Sequence, residues 1–232
     1  MDTVIGLPPA SNNNLVNGKN NYPCANTTLK CTPNAGLSKF KFEHGKKYRL
    51  RLVNPSSEAT QKISIDGHKF TVIAQDFVPI VPYETDLITL GVAQRSDVIV
   101  EAVGDSKSSY WFRSTLGVGQ TACSLPDGVS PNAMAVIYYE DADADAVPTT
   151  TSDISQDRIF TCANDPLTST SPLFPQSADV VGDLTTTTLN FDFINNGTNF
   201  IWVVNNVSTR VDYDLSILNE AQKGTLAPKP EW

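Results

Sequence analysis

Residues 39–101 read KFKFEHGKKYRLRLVNPSSEATQKISIDGHKFTVIAQDFVPIVPYETDLITLGVAQRSDVIVE, a series of short apolar runs cut by turn residues. Tyr48-Arg49-Leu50-Arg51-Leu52-Val53 alternates with period two, which predicts a half-buried strand. Ile63-Ser64-Ile65 leads into Asp66-Gly67-His68, and Phe70-Thr71-Val72-Ile73-Ala74 follows at once. Asp-Gly between two β-branched runs predicts a hairpin. Val98-Ile99-Val100 closes the series after Gln94-Arg95-Ser96-Asp97. Runs this short, at this spacing, predict an antiparallel β-sandwich.

Working outward, Tyr110 to Ser114 and Ala133 to Tyr139 read as further strands, separated by a loop from Gly117 to Pro131 that contains Cys123. Upstream, Met1 to Asn21 is polar and turn-rich, with Pro8, Pro9 and an Asn12-Asn13-Asn14 run, as expected of a lead-in arm. Downstream, Asp141-Ala142-Asp143-Ala144-Asp145 reads as solvated linker. Pro166 to Pro175 is read as a loop. Thr185 to Phe193 is read as a strand with Leu189, Phe191 and Phe193 on one face. Asn195-Asn196-Gly197 reads as a turn, Phe200 to Val204 as a second strand, and Leu215 to Ala221 as one or two helical turns. Two strands cannot supply a complete sandwich. The expected organisation is therefore an arm over 1–23, a sandwich over 24–141, and an acidic linker with an incomplete extension over 142–232.

The blocks KYRLRLVN, IDGHKFTVIAQDFVPI and LGVAQRSDVIVEA resemble, in order and spacing, the second cupredoxin domain of fungal laccases, which are multicopper oxidases. The likeness extends to Leu15-Val16-Asn17-Gly18-Lys19, to Tyr110-Trp111-Phe112-Arg113-Ser114-Thr115 and to the run from Asn132 to Tyr139. Phe200 to Asn206 and Val211-Asp212-Tyr213 look like the opening of the third laccase domain. The resemblance implies an all-β, cupredoxin-like antiparallel Greek-key sandwich with an incomplete C-terminal extension. It also implies the first and third laccase domains as partners, and a phenolic substrate in the intact enzyme.

The 232-residue chain has a formal net charge of −8 and a sequence pI near 4.7. That balance argues against nucleic acid and anionic membranes as partners. No apolar run is long enough to span a bilayer. The four cysteines, Cys24, Cys31, Cys123 and Cys162, form no Cys-x-x-Cys and none neighbours a histidine, so zinc is not expected. An even count in an acidic β-rich chain fits an oxidising compartment. The favoured pairing is Cys24–Cys31 with Cys123–Cys162, the latter resembling a bridge of the laccase middle domain; four reduced thiols is the competing reading. The longer loop would gain about 4 kcal/mol on chain-entropy grounds. Asn26, Asn196 and Asn206 head glycosylation sequons, a pattern this composition produces about three times by chance. Secretion is implied more strongly by the resemblance.

Laccase coppers are held by His-x-His pairs and a His-Cys-His segment in the first and third domains. This chain has two isolated histidines, His44 and His68, and neither motif. Copper sites need imidazole and thiolate ligands in numbers. Both histidines are read as turn residues, and no metal is assigned to the chain. The resemblance places a substrate carboxylate on the loop Asn54-Pro55-Ser56-Ser57-Glu58, with Glu58 as general base; the bland reading is a solvated loop glutamate. It places Phe200 and Trp202 on the wall of the same pocket, and Pro8 and Pro9 at its rim; plain packing is the competing reading for the aromatics. The function expected is a fragment of a laccase-type oxidase: a copper-free middle domain that lines the phenol site and is inactive alone. The alternative is a secreted, stand-alone β-sandwich binding module without redox activity.

Overall fold

The computed structural model describes residues 13–56, 59–116, 132–161, 163–177, 182, 186–195, 197, 200–208 and 216–225. The chain forms two compact units, one over residues 10–177 and one comprising residues 1–9 and 178–232.

In the larger unit, nine strands make two facing sheets. They are β1 (Ser38–Phe42), β2 (Lys47–Val53), β3 (Gln61–Ile65), β4 (Phe70–Gln75), β5 (Val78–Thr85), β6 (Ile88–Leu90), β7 (Arg95–Glu101), β8 (Ser109–Leu116) and β9 (Asn132–Tyr139). One sheet has the order β1-β9-β8-β3-β6 and the other β2-β7-β4-β5. All pairings are antiparallel except β1 with β9, which run parallel. Alternation buries Phe70, Val72, Val98 and Val100 from one sheet against Ile63, Ile65, Ile88 and Ile137 from the other. The fold is thus an all-β, cupredoxin-like sandwich.

The Asp66-Gly67 turn is not a hairpin. β3 pairs with β6 and β8, whereas β4 pairs with β5 and β7. The turn carries the chain from one sheet to the other. The composition signal was real, since Gly67 has φ +70 and the His68 N–H donates to the Ile65 carbonyl. It marks a tight reversal and says nothing about which strands pair.

The crossing is pinned on both sides. The buried Asp66 carboxylate accepts bonds from Arg113 Nε and Nη2, both at 2.7 Å, and from the Thr150 hydroxyl at 2.8 Å. His68 Nδ1 lies 2.8 Å from the Asp66 carbonyl oxygen, which can only accept. Nδ1 therefore carries the proton, and bare Nε2 accepts from the Tyr139 hydroxyl at 2.7 Å. That hydroxyl in turn accepts from Gly104 N–H at 2.8 Å. A Cβ at Gly104 would lie 2.5 Å from the Tyr110 ring and 2.7 Å from Tyr139, so only glycine fits there.

The segment after β9 packs on this unit. Thr150 bonds Trp111 and Arg113 of β8 on the outer face of the five-stranded sheet. A five-residue helix, α1 (Gln156–Phe160), follows, and its Arg158 pairs with Asp86. The region read as a loop from Pro166 to Pro175 holds a 3-10 turn at Leu167–Ser169 and an antiparallel bridge between Pro172 and Ile80. The stretch from Ala163 to Leu173, which includes the residues just before that region, reaches both sheets. Lys62 Nζ donates to the Ala163 carbonyl at 3.0 Å, and Thr89 N–H donates to the Asp165 carboxylate at 3.2 Å. Val81 N–H donates to Ser171 and Leu173 N–H to Pro79, each at 2.9 Å. Edge strands β6 and β5 are thus both covered. Pro79 and Pro82 sit in β5 because an edge tolerates missing donors.

The smaller unit has a two-stranded ribbon, β10 (Phe191–Asn195) with β11 (Phe200–Val204), and a helix, α2 (Ile217–Lys223). The first strand starts later than Thr185, since residues 186–190 are not strand. The helix spans nearly the expected stretch and ends on Gly224 at φ +69. Among the described residues, no helix is long and apolar enough to cross a membrane.

Burial holds the His68 imidazole below its ordinary pKa. At neutral pH it is uncharged folded and unfolded. Below its ordinary value of about 6.5 the unfolded chain takes up a proton that the folded one resists, so stability falls as pH falls. Urea midpoints are expected to drop between about pH 7 and pH 5, and to drop less in His68→Gln. An unchanged slope in that variant would contradict this.

Candidate functional site

The loop after β2 is built around Asn54. This residue is buried, and its Nδ2 donates to the Ala59 carbonyl at 2.9 Å and the Leu90 carbonyl at 3.0 Å. Its Oδ1 accepts from Ser56 N–H at 3.2 Å and from the Ser56 hydroxyl at 2.6 Å. Backbone bonds join Asn54 to Gln94 and Ala93 at 3.1 and 2.9 Å. Ala59 has φ +92, a left-handed conformation that an L-residue holds only under constraint. Both shoulders of the loop are therefore fixed. Ser57 and Glu58, the candidate base, lie outside the described residues.

Beside that loop, between the free edges of β1 and β2, lies a cavity of about 540 Å³. Phe40, Phe42, Leu50, Leu52 and Phe112 line it, and it reaches Pro55 at the base of the loop. Arg49 and Arg51 stand at its margin and share Asp97. Such a hollow suits apolar or aromatic groups.

The other sequence candidates are spread widely. Pro8 and Pro9 lie outside the described residues. Phe200 begins β11, and Trp202 on the same strand is exposed, its ring 4.9 Å from that of Phe193. Cys24 and Cys31 form a disulfide, while Cys123 and Cys162 lie outside the described residues. Asn26 sits in a 3-10 turn, Asn206 is exposed in a turn after β11, and Asn196 is not among the described residues.

Among the described residues the donor set does not fit copper. Both His68 nitrogens are engaged as described above. His44 Nδ1 lies 2.7 Å from the Gly104 carbonyl oxygen. Among the described residues no group of three or more His, Cys, Asp or Glu could hold a metal ion.

One feature at this end escaped sequence reading. The β4–β5 hairpin turns through Asp76 and Phe77, at φ +45 and +71, without an Asn-Gly or Asp-Gly pair. Asp76 N–H donates to the Arg95 carbonyl at 3.0 Å, Arg95 N–H donates to Asp76 Oδ1 at 3.0 Å, and the Arg95 guanidinium lies 4.3 Å above the Phe77 ring. A turn with no glycine leaves a composition reading no signal.

The family model for multicopper oxidase matches residues 1–142, and the chain belongs to that family. It is 38% identical over 210 residues to Laccase-2 of Botryotinia fuckeliana, covering 90% of this chain and 34% of that protein. Oxidoreductase OpS5 of Beauveria bassiana is 42% identical over 145 residues, covering 62% of this chain and 24% of that protein. A single-residue variant of the laccase from Botrytis aclada superposes with a TM-score of 0.79 at 32% identity, covering 98% of this chain and 40% of that one. The chain thus spans about a quarter to a third of the length of the curated relatives it matches.

Removing the Asn54 amide strands two buried carbonyls. Asn54→Ala is expected to cost about 2 kcal/mol in urea unfolding and to speed amide exchange at Ala59 and Leu90. A cost near zero would mean that the loop supports itself without Asn54.

Proposed function

We propose that the chain is the middle, copper-free portion of a secreted laccase-type oxidase, followed by the start of a further cupredoxin domain. The observation that carries this is a likeness to a laccase structure across 98% of the chain, in a sequence with only two histidines. In this reading the first and third domains are its partners in one polypeptide and hold the copper. The chain scaffolds them and lines one wall of the phenol site.

Glu58 takes the role of base at that wall. A phenol O–H gives its proton to the carboxylate while one electron passes to an acceptor held outside this chain. The Asn54 framework supports this role, because a base must be held at a fixed distance from the proton it removes. Phe200, Trp202, Pro8 and Pro9 complete the aromatic wall and rim. Cys123–Cys162 would be the second disulfide, and Asn26, Asn196 and Asn206 the glycan sites.

The smaller unit supports the fragment over a stand-alone binding module. Phe191, Phe193, Ile194, Trp202 and Val204 of the two-stranded ribbon are all exposed. Val203 of β11 is buried, and a two-stranded ribbon needs a further apolar layer to bury its exposed apolar side chains. Additional strands from the same polypeptide would supply it.

Metal analysis and a phenol-oxidation assay test the reading. The 232-residue chain alone is expected to hold copper far below one per chain and to show no turnover. Near-stoichiometric copper with turnover would overturn the proposal. In the intact enzyme, Glu58→Gln is expected to lower kcat/KM for phenols by about 10²-fold and to spare a one-electron donor that has no proton to lose.

A further inference from the structure

We propose that the hollow between β1 and β2 is a binding site for a small carboxylate with an apolar tail, the tail lying between the sheets and the head resting on Arg51. Every group involved belongs to the larger unit, so the site stands apart from the laccase reading.

Strands β1 and β2 follow one another in the chain but end different sheets, so no ladder joins them. Where the chain turns between them the gap is closed. Phe42 stacks on Tyr48 with ring centroids 4.2 Å apart, and Glu43 N–H donates to the Tyr48 hydroxyl at 2.8 Å. At the other end the Ser38 hydroxyl donates to the Val16 carbonyl at 2.7 Å, and the Asn17-Gly18 turn borders the opening. Between these limits the sheets part and leave about 540 Å³. Buried Ile63, Phe112 and Ile137 form the floor. Phe40, Leu50 and Leu52 form the walls and are only half-buried, although alternation along β2 aims both leucines inward. Protein interiors are otherwise close-packed, and an apolar void of about 150 Å³ already takes up small apolar molecules from water. This hollow is larger than that and equally apolar in its floor and walls.

The mouth selects the head group. Among the described residues, Arg49 and Arg51 are the only charged ones that line the hollow. Arg49 engages Asp97 through both Nε and Nη2. Arg51 Nε reaches the same carboxylate only at 4.0 Å, and its side chain is 73% exposed. Two guanidiniums therefore share one carboxylate, and the mouth carries an excess positive charge in a chain whose net charge is −8. A guanidinium offers paired N–H donors that match a second carboxylate. A sugar would set its hydroxyls unpaired against Phe40, Leu50 and Leu52, and an amphipathic cation would be repelled at the mouth.

Calorimetric titration of the 232-residue chain with octanoate, decanoate and dodecanoate tests the site. A single saturable site is expected, tightening about tenfold for each two methylenes added. Methyl resonances of Leu50, Leu52, Ile63 and Ile137 should shift on addition of decanoate, which locates the site without any variant. Arg51→Gln should weaken decanoate about fivefold and leave decanol, with the same tail and no charge, unaffected. Leu52→Trp, which fills the hollow, should abolish binding of both while still unfolding cooperatively on heating. Absence of saturable binding, affinity independent of tail length, or methyl shifts confined to other residues would overturn the proposal. Undiminished decanoate binding by Arg51→Gln would overturn the assignment of the head group. Decanoate binding that is present in the 232-residue chain and lost in the intact polypeptide would also overturn the proposal, because the parent's own chain would then fill the hollow.

Discussion

The pairing of Asp66 with Arg113 holds the sandwich in register with itself. It sits where the chain leaves one sheet for the other, with the carboxylate almost wholly buried and both of its oxygens bonded to the guanidinium. A buried carboxylate left without its partner would cost several kcal/mol, so the two groups are bound to act together. Arg113 comes from β8, 47 residues away in sequence, and Thr150 adds a bond from beyond β9. One carboxylate thus ties the crossing, the centre of the five-stranded sheet and the segment over its outer face. His68, two residues on, extends the tie to Tyr139 and Gly104. Burial also raises the Tyr139 hydroxyl to about 12, so it stays a neutral donor throughout the useful pH range.

Much of this was legible from residue pattern. The alternation in Tyr48 to Val53 and in Phe70 to Ala74 placed β2 and β4 correctly, because one face of each packs on the core. Pairing was less legible. Asp66-Gly67 announced a reversal, and the reversal is there, but the partners of β3 and β4 are set by contacts with β6, β8 and β7 that no local signal encodes. The parallel pairing of β1 with β9 was invisible for the same reason. The stretch from Pro166 to Pro175 read as a loop because prolines hide its one bridge.

The candidate site was legible only through likeness to a family. Nothing in Asn54 to Glu58 distinguishes it, by composition, from any polar loop. What makes Asn54 special is that its amide finds the carbonyls of Ala59 and Leu90, the second of them 36 residues away. The Asp76-Phe77 tip was missed because its strain is conformational and leaves no glycine behind. Both features gather at Gln94–Arg95, so the chemistry of this end depends on a short turn that carries no reactive group of its own.

The segment running from Ala163 to Leu173 has a practical consequence. It satisfies the outward-facing donors of β5 and β6, the two strands that would otherwise offer bare backbone to any passing chain. The opposite margin is guarded differently, by the cationic side chains of Lys39, Lys41, Lys47, Arg49 and Arg51. A version of the protein shortened to the acidic run near Asp145 would keep the charged margin and lose the covered one. It would be a template for fibrous stacking on one flank and soluble on the other, so trimming this protein for expression has to stop well past what composition alone marks as its boundary.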